Sequence, residues 1–228
     1  MKKLFTILVL SALLSSCDSS PKHNMFVNGS VQGLKKGTLY LQKVEDSLFV
    51  SVDSLEVAGN GNFKMSAYLE DAEMYFLNLD NNPNFNLAFF GEPGNITVNT
   101  NLEDFALDAK VAGSKNQALL EDYNKMAKRF NNARLDIVKA GFEAQQSQDA
   151  KKIDSLNKAS ENLIIRRYYY TTNFAVNNGD YEVAPYLGLT ELYNATNKLL
   201  DTIETSMSPE VGNSKYGRAL KTLIESRK

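Results

Sequence analysis

The spacing of apolar residues changes once along the chain, at Ser114. Before that point apolar residues alternate with polar ones in short runs, as at Phe63 and Met65, and turn residues separate the runs. Short alternating runs at regular intervals indicate strands of an antiparallel sandwich or barrel, whereas the spacing of about 3.5 residues after Ser114 indicates helices. We therefore predict an α+β protein, with an N-terminal antiparallel β-sandwich or barrel-like domain over 25–113 and a helical region over 114–228.

Two turn signals divide the predicted β domain. Asn60 stands between Gly59 and Gly61, and this pattern predicts a type I′ hairpin because Asn and Gly accept positive φ angles. The polar cluster at 80–84 predicts another turn. Its oxygen atoms are of the kind that calcium binds, but the residue pattern of a calcium-binding loop is missing, so we predict a turn and no metal site.

The helical region is predicted to begin with a long antiparallel hairpin. Ser114 and Gln117 have the spacing of a capping box, which places a helix start at Ser114. A short polar stretch at 145–149 separates two helices of about 30 residues and favours antiparallel neighbours. The hairpin is expected over 114–178 and short helices within 182–227, near 185–195, 197–207 and 214–227, with Pro185 in a first helical turn.

The first sixteen residues have the pattern of a lipoprotein signal peptide. An apolar run at 4–14 follows two lysines and is too short to span a membrane as a helix. Leu14, Ser15 and Ser16 then precede Cys17 as in a bacterial lipobox. Cys17 is therefore the predicted lipidation site, with a covalent diacylglycerol and acyl lipid, and 17–24 is the predicted tether. The alternative is a plain signal peptide in which the cysteine is incidental.

The counts of cysteine and histidine restrict the chemistry of the chain. Cys17 is the only cysteine, so its lipidation leaves no disulfide, no Cys-x-x-Cys pair and no thiolate zinc site. His23 is the only histidine and lies in the tether, which cannot hold it against a nucleophile as a catalytic triad requires. We predict no catalytic residue, no metal and no cofactor besides the lipid, and we expect the protein not to be an enzyme.

The charge balance gives no support to nucleic-acid binding. Without residues 1–16 the chain has 23 basic and 27 acidic residues, a mildly acidic balance with no basic footprint. No second apolar run is long enough to span a bilayer. The expected partners are the membrane, through the lipid anchor, and another protein of the cell envelope.

Several short motifs resemble one family of bacterial envelope domains. They are Phe26-x-x-Gly29-x-Val31-x-Gly33, Gly37-Thr38-Leu39-Tyr40-Leu41, Asp53-Ser54-x-x-Val57 with Gly61-x-Phe63, Phe89-Phe90-x-Glu92-Pro93-Gly94-x-Ile96-x-Val98, and Val111-x-Gly113-Ser114. Their order and spacing resemble the domain of unknown function DUF4369, the N-terminal domain of many thioredoxin-like lipoproteins of Bacteroidetes-type bacteria.

The resemblance continues into the helical region and has one limit. Phe174-x-x-x-Asn178 to Ala184-Pro185-Tyr186, and Ser214-x-Tyr216-Gly217-x-x-Leu220, resemble the segment that joins this domain to a thioredoxin fold in two-domain relatives. That fold carries a redox cysteine pair, which this sequence lacks. We therefore expect a chain without the thioredoxin domain, and the resemblance transfers no oxidoreductase residue and no established catalytic residue of the β domain.

Two groups of residues are candidates for an interaction surface. Phe85, Phe89 and Phe90 form an aromatic strand that is expected in the core, and that would be a binding groove if it were partly exposed. Arg166 and Arg167 precede three tyrosines. We expect this stretch to pack within the hairpin or against the β domain, with a partner-protein surface as the alternative.

Three functions of different classes remain open. The first is a non-enzymatic, lipid-anchored cell-envelope protein that serves as a protein-interaction or accessory module, with the β domain and the helical hairpin as docking surfaces. The alternative is a small-ligand or glycan-binding lipoprotein that uses the β domain. The third is acid–base chemistry by Glu70, Asp71 and Glu73, for which an exposed acidic loop is the commoner explanation. The expected site of anchoring is the outer membrane facing the periplasm, with the inner membrane and the cell surface as alternatives.

The lipidation site gives a direct test. Replacing Cys17 with Ala is expected to abolish labelling by radioactive or clickable fatty acid and to release the protein from membranes, because stable anchoring needs more than one acyl chain. A variant that stays labelled and membrane-bound would contradict the prediction.

Overall fold

A computed structural model describes residues 22–228 of the chain. The lipobox Leu14, Ser15 and Ser16, and Cys17 itself, lie outside the described residues. Eight strands come first: β1 Met25–Gln32, β2 Lys36–Glu45, β3 Leu48–Ala58, β4 Asn62–Ala67, β5 Glu73–Leu79, β6 Asn86–Gly91, β7 Gly94–Asn101 and β8 Lys110–Ala112. The helices follow: α1 Lys115–Gln146, α2 Ala150–Val176, α3 Val183–Glu191, α4 Asn197–Ser206, α5 Pro209–Asn213 and α6 Lys215–Glu225.

The strands form two four-stranded sheets that enclose one apolar core. One sheet has the order β4-β1-β7-β8 and the other β3-β2-β5-β6. Alternate side chains of the inner strands point into the core, which removes their apolar surface from water. This confirms the predicted α+β class with a sandwich, and the sheets stay open rather than closing into a barrel. The largest buried side chains of this core include Met25, Leu39, Leu41, Tyr75, Leu77, Leu87, Phe89 and Ile96.

The pairing of β1 with β7 is parallel, which corrects the expectation of a purely antiparallel domain. Met25 pairs with Gly94 and Gln32 with Asn101, so the two strands run side by side over their full lengths. Sequence alternation is the same for both directions, and only a long-range contact decides between them. Gly29 of β1 has no room for a side chain beside β7, because a Cβ atom there would be 1.7 Å from the carbonyl oxygen of Val98.

The predicted hairpin at Gly59–Asn62 is wrong. Here the chain crosses from one sheet to the other, since β3 pairs with β2 and β4 pairs with β1. Gly59 and Gly61 have positive φ angles, but Asn60 does not, so a type I′ turn is not formed. A tight hairpin turn with two positive φ angles lies instead at Asp46 and Ser47, between β2 and β3.

The helices start close to the predicted positions, and α3 ends earlier than predicted. Ser114 is the N-cap of α1, and Asn177 is the C-cap of α2. Pro185 is the third residue of α3, but α3 ends at Glu191 instead of continuing to 195. The short helix α5 was not predicted; Ser208 caps its first turn, and Pro209 is its first residue.

The close approach at Gly29 gives a stability prediction with an internal control. Gly29→Ala is expected to lower the free energy of unfolding by about 3 kcal/mol, because β1 and β7 must separate to admit the methyl group. Gly141→Ala, in the interior of α1 with open space around it, is expected to raise that energy by about 0.5–1 kcal/mol. Urea unfolding followed by circular dichroism measures both changes. A stabilising Gly29→Ala together with a destabilising Gly141→Ala would refute the close pairing of β1 with β7.

Candidate functional site

The end of the β domain where the helices attach carries a charged cleft of about 470 Å³. It is bordered by the end of β2, by the loop before β5 and by the start of α6. This loop contains the acidic cluster that the sequence singled out. The lining side chains that carry charge are Lys43, Glu45, Asp46, Glu70, Asp71, Glu73, Lys215 and Arg218.

Glu73 is the buried centre of this cleft. Its carboxylate pairs with Lys215 of α6 and lies 3.7 Å from the ammonium group of Lys43. Lys43 also bonds Glu45 at 2.8 Å. Burial works to lower the pKa of Lys43, and its contacts with Glu45 and Glu73 outweigh burial and raise the pKa. The charged groups thus neutralise one another, which is the arrangement of a structural ion-pair network.

The same cleft attaches the last helix to the sheet. Asp71 accepts a hydrogen bond from the backbone N–H of Lys215 at 2.7 Å, and the hydroxyl of Tyr216 accepts one from the N–H of Met74 at 2.9 Å. Burial raises the pKa of Tyr216, so the phenol stays neutral. Asp71 and Glu73 therefore hold the fold together, and the exposed acidic loop expected from the sequence is exposed only at Glu70.

A second attachment lies at the start of α1, where Glu92 receives the helix. Its carboxylate accepts bonds from the backbone N–H of Lys115 at 2.7 Å and of Asn116 at 3.1 Å. It also accepts bonds from the Ser114 hydroxyl and the Asn116 side-chain amide. A carboxylate at this position satisfies unpaired helix N–H groups and interacts favourably with the helix dipole.

The capping box predicted at Ser114 is only half formed. The Ser114 hydroxyl accepts the N–H of Gln117, as predicted. The Gln117 side chain does not reach back to Ser114; its oxygen instead accepts the backbone N–H of Phe90, at the end of strand β6. Gln117 thus links the helix to the sheet, a contact that local spacing does not reveal.

Comparison with protein families gives a match over the β domain and the start of α1. The sequence model of a domain of unknown function, DUF4369, matches residues 25–120. These residues belong to the DUF4369 family. The match ends inside α1, so the DUF4369 domain includes the helical turns that Glu92 caps. Comparison with curated proteins and with solved structures gives no significant match.

The aromatic strand of the DUF4369 domain is not an interaction surface. Phe89 and Phe90 are fully buried, Phe89 between the sheets and Phe90 beneath the helices. Phe90 packs edge-on against Tyr186 and Tyr216, at ring distances of 5.4 and 6.1 Å. Phe85 is half-buried against Phe105. The expected place of this strand in the core is confirmed, and the alternative of a binding groove at Phe85, Phe89 and Phe90 is wrong, because the facing sheet covers Phe89 and the helices cover Phe90.

The two arginines of α2 have different surroundings. Arg167 is half-buried, pairs with Glu191 of α3 and bonds the Asn131 side chain of α1 at 3.0 Å. It therefore fixes the hairpin to α3, and the expected contact within the helical region is observed. Arg166 is exposed. Glu191 lies 24 residues away along the chain, so no local pattern identified it as the partner.

The clearest unpaired surface of the DUF4369 domain is the start of β3. Leu48 is 69% exposed, Phe49 54% and Val50 37%. Neighbouring residues of a strand point to opposite faces, so exposure of three in succession means that both faces are uncovered. Within the described chain, β3 pairs with β2 alone, and its outer edge at 48–52 makes no backbone hydrogen bond to another element.

A second unpaired surface lies on the outer part of the long hairpin, which we call the arm (residues 128–170). Ala144 is the only buried residue of the arm. Leu135, Val138 and Phe142 of α1 are 66%, 46% and 65% exposed. The base of the arm is where α2 meets the C-terminal helices. There Arg167 pairs with Glu191 of α3, and Tyr168 packs against the apolar core of these helices.

Three further features of the described residues concern metal-binding groups, the clefts of the β domain and the apolarity of the helices. From residue 22 onward, no group of three acidic, His or Cys side chains is placed to hold a metal. Four clefts border the DUF4369 domain, and each has at most one aromatic residue in its lining. No helix in the same range is long and apolar enough to cross a membrane. His23, at the start of the described chain, is exposed and bonds the Ser66 hydroxyl at 2.7 Å.

The attachment at Glu92 gives a second stability prediction. Glu92→Ala is expected to lower the free energy of unfolding by about 2 kcal/mol, because it removes a charged cap and leaves helix N–H groups unpaired. Glu103→Ala, which removes an exposed carboxylate of the same domain, is expected to change it by less than about 0.5 kcal/mol. Thermal unfolding of both variants measures the difference, and equal stabilities would show that Glu92 does not hold the helix.

Proposed function

We propose that the protein is a lipid-anchored, non-enzymatic component of the cell envelope that binds another protein through the exposed edge at the start of β3. The anchor is the lipid on Cys17, and the site of anchoring is the outer membrane facing the periplasm. The single observation that carries the docking role is the free backbone edge at 48–52 with its exposed apolar side chains.

A strand edge of this kind selects an extended segment of protein as its occupant. Its unpaired N–H and C=O groups are satisfied by adding another strand, and this is a common mode of peptide recognition. Leu48, Phe49 and Val50 supply apolar contacts on both faces. Phe49 is held in place by an edge-on contact with Phe76, with ring centres 4.9 Å apart.

The charges around the edge specify the chemistry of the partner. The segment from Val44 to Ala58 contains four acidic residues and no Lys or Arg: Glu45, Asp46, Asp53 and Glu56. Glu45 is paired with Lys43 of β2, so the remaining negative charge of this segment comes from Asp46, Asp53 and Glu56. A basic and apolar extended segment complements this surface, and charge complementarity favours encounter and excludes acidic competitors. The partner is therefore expected to present Lys or Arg beside apolar residues.

The charged cleft next to this edge supports docking over catalysis. Glu73 and Asp71 are engaged with Lys215, Lys43 and the N-terminus of α6, so these carboxylates have structural partners. General acid–base catalysis requires a group that is free to exchange a proton with a substrate. The contacts that these carboxylates make are those of residues that hold two parts of the fold together.

The tether supports action close to the membrane. Asn24 is bound to the edge of the sandwich, where its side chain bonds both backbone groups of Leu69 and its carbonyl accepts the N–H of Gly94 at 2.8 Å. Six residues lie between Cys17 and this fixed point, and the seven steps along the chain give a reach of about 25 Å at full extension. The tether therefore keeps the sandwich that carries the proposed edge within a short distance of the bilayer.

Site-specific photo-crosslinking in living cells tests the proposal. A photoreactive amino acid at position 48 is expected to give one discrete crosslinked protein, and the same group at Leu107, which is 87% exposed on another loop of the domain, is expected to give none. The crosslinked segment should be basic, so Glu56→Lys is expected to reduce the yield about fivefold or more, and Glu103→Lys to leave it unchanged.

Three results would refute this function. They are equal crosslinking from positions 48 and 107, a yield that does not respond to Glu56→Lys, and a captured segment that is acidic. Circular dichroism of each variant shows that the fold is intact. A pattern of crosslinks to abundant neighbours from both positions counts against docking at the edge.

A further inference from the structure

The arm has one face on which basic and apolar residues share a row. Lys128, Leu135, Lys139 and Phe142 follow each other on α1 at intervals of seven, four and three residues, which place them on the same side of the helix. Val138 lies beside Leu135 on this face. The side of α1 that meets α2 carries other residues, such as Phe130, whose ring packs on Tyr170. Leu135 and Phe142 therefore point away from the partner helix, whereas Asn131, between Lys128 and Leu135, borders α2 through its bond to Arg167.

Among residues 22–228, no part of the fold covers the exposed apolar side chains of this face. Leu135 and Phe142 each expose about two thirds of their surface, and the face extends for about 20 Å from Lys128 to Phe142 at the rise of an α-helix. Scattered apolar residues on a surface need no explanation, but a row of them along a projecting element indicates an interaction site.

Charge separates the arm from the rest of the molecule. Residues 128–170 contain nine Lys and Arg against five Asp and Glu, whereas the remaining described residues contain fourteen against twenty-one. Asp136 and Glu143 lie beside the basic–apolar face, and Lys128 and Lys139 lie within it. A helix with Lys on its exposed face, together with Leu, Val and Phe, has the composition of a segment that lies in the interface of an anionic membrane.

The position of the tether brings this surface within reach of a bilayer. Asn24, the fixed end of the tether, bonds Gly94, and Glu92, two residues before Gly94, caps the first turn of α1. The helix that carries the arm thus starts beside the point where the tether leaves the fold. The arm begins at Lys128, thirteen residues into α1, or about 20 Å along the helix.

From these observations we propose that the basic–apolar face of the arm lies on the anionic phospholipid surface to which the chain is tethered. Lys128 and Lys139 contact anionic headgroups, and Leu135, Val138 and Phe142 insert at the boundary of the acyl chains. The acidic remainder of the molecule, including the edge of β3, is held away from the same surface. The lipid affinity of the arm is independent of the protein-docking edge, whereas its orientation in the cell rests on the proposed anchor.

Co-sedimentation with vesicles tests the lipid affinity without the anchor. The chain from Asp18 onward keeps all described contacts and lacks the lipidation site. It is expected to bind vesicles of phosphatidylglycerol about tenfold or more tightly than vesicles of phosphatidylcholine, because each basic residue near an anionic surface adds to the affinity. Binding is expected to weaken as salt is raised, because salt screens this attraction.

Matched variants separate the face from general effects of charge and exposure. The double variant Lys128→Glu/Lys139→Glu is expected to bind phosphatidylglycerol about tenfold or more weakly. The control Lys35→Glu/Lys36→Glu changes two exposed lysines of the β domain and is expected to alter this binding less than about threefold. Phe142→Glu is expected to abolish the binding that remains at high salt. Leu107→Glu, an equal change at another exposed position, is expected to leave it intact.

Several outcomes would overturn the inference. They are equal affinity for the two lipids, no binding to either, and equal losses in the arm variants and their controls. Crosslinking in cells that joins position 142 to a protein, in a chain that does not bind vesicles, would assign the face to a protein partner instead. A Phe142→Glu variant that binds vesicles normally would contradict membrane binding by the arm and would leave the crosslinking result at position 48 unchanged. The membrane-binding and protein-docking proposals can therefore be refuted independently.

Discussion

The carboxylate of Glu92 is the contact on which the arrangement of sheet and helices depends. It accepts two backbone N–H groups of the first turn of α1, together with the side chains of Ser114 and Asn116. Asn116 in turn bonds Glu182 and the N–H of Val183 at the start of α3. One acidic side chain in the turn after β6 therefore fixes the start of the long hairpin and, through a single amide, the return of the chain. The direction in which the arm projects follows from this junction.

The helical region is attached to the sandwich at its end as well as at its beginning. Lys215 and Tyr216 of α6 reach Glu73 and Met74 at the start of β5, while Phe90 of β6 packs under Tyr216. Two attachments far apart in sequence on adjacent strands leave the helices little freedom to rotate on the sheet. This explains why a cleft rich in charges is stable: its ion pairs close the joint between the two parts, and each buried carboxylate has a basic partner.

Local patterns in the sequence predicted those features that local interactions determine. The change of period at Ser114 and the cap at that residue were found because both depend on neighbours within one or two turns. The parallel pairing of β1 with β7, the crossing of the chain at Asn60 and the ion pair of Arg167 with Glu191 were missed, because each depends on residues distant in sequence. At Asn60 the Asn-Gly preference for a hairpin was overridden by the pairing of β4 with β1. The alternative of a groove at the aromatic strand failed for the same reason: Phe89 is buried by the facing sheet and Phe90 by the helices, and both contacts come from residues distant in sequence.

The charge balance of the whole chain conceals a separation that only the fold reveals. A mildly acidic total suggested no charged surface, yet the arm is basic while the segment from Val44 to Ala58 is acidic. Both surfaces also expose apolar side chains. The arm combines them with positive charge and the edge of β3 combines them with negative charge, so a ligand that suits one surface is repelled by the other. An anionic bilayer would attract the arm and repel the edge at Leu48. In the proposed arrangement, the basic arm would be attracted to the anionic membrane and the acidic edge of β3 repelled from it, so the edge would face the aqueous side, where an extended basic segment could reach it.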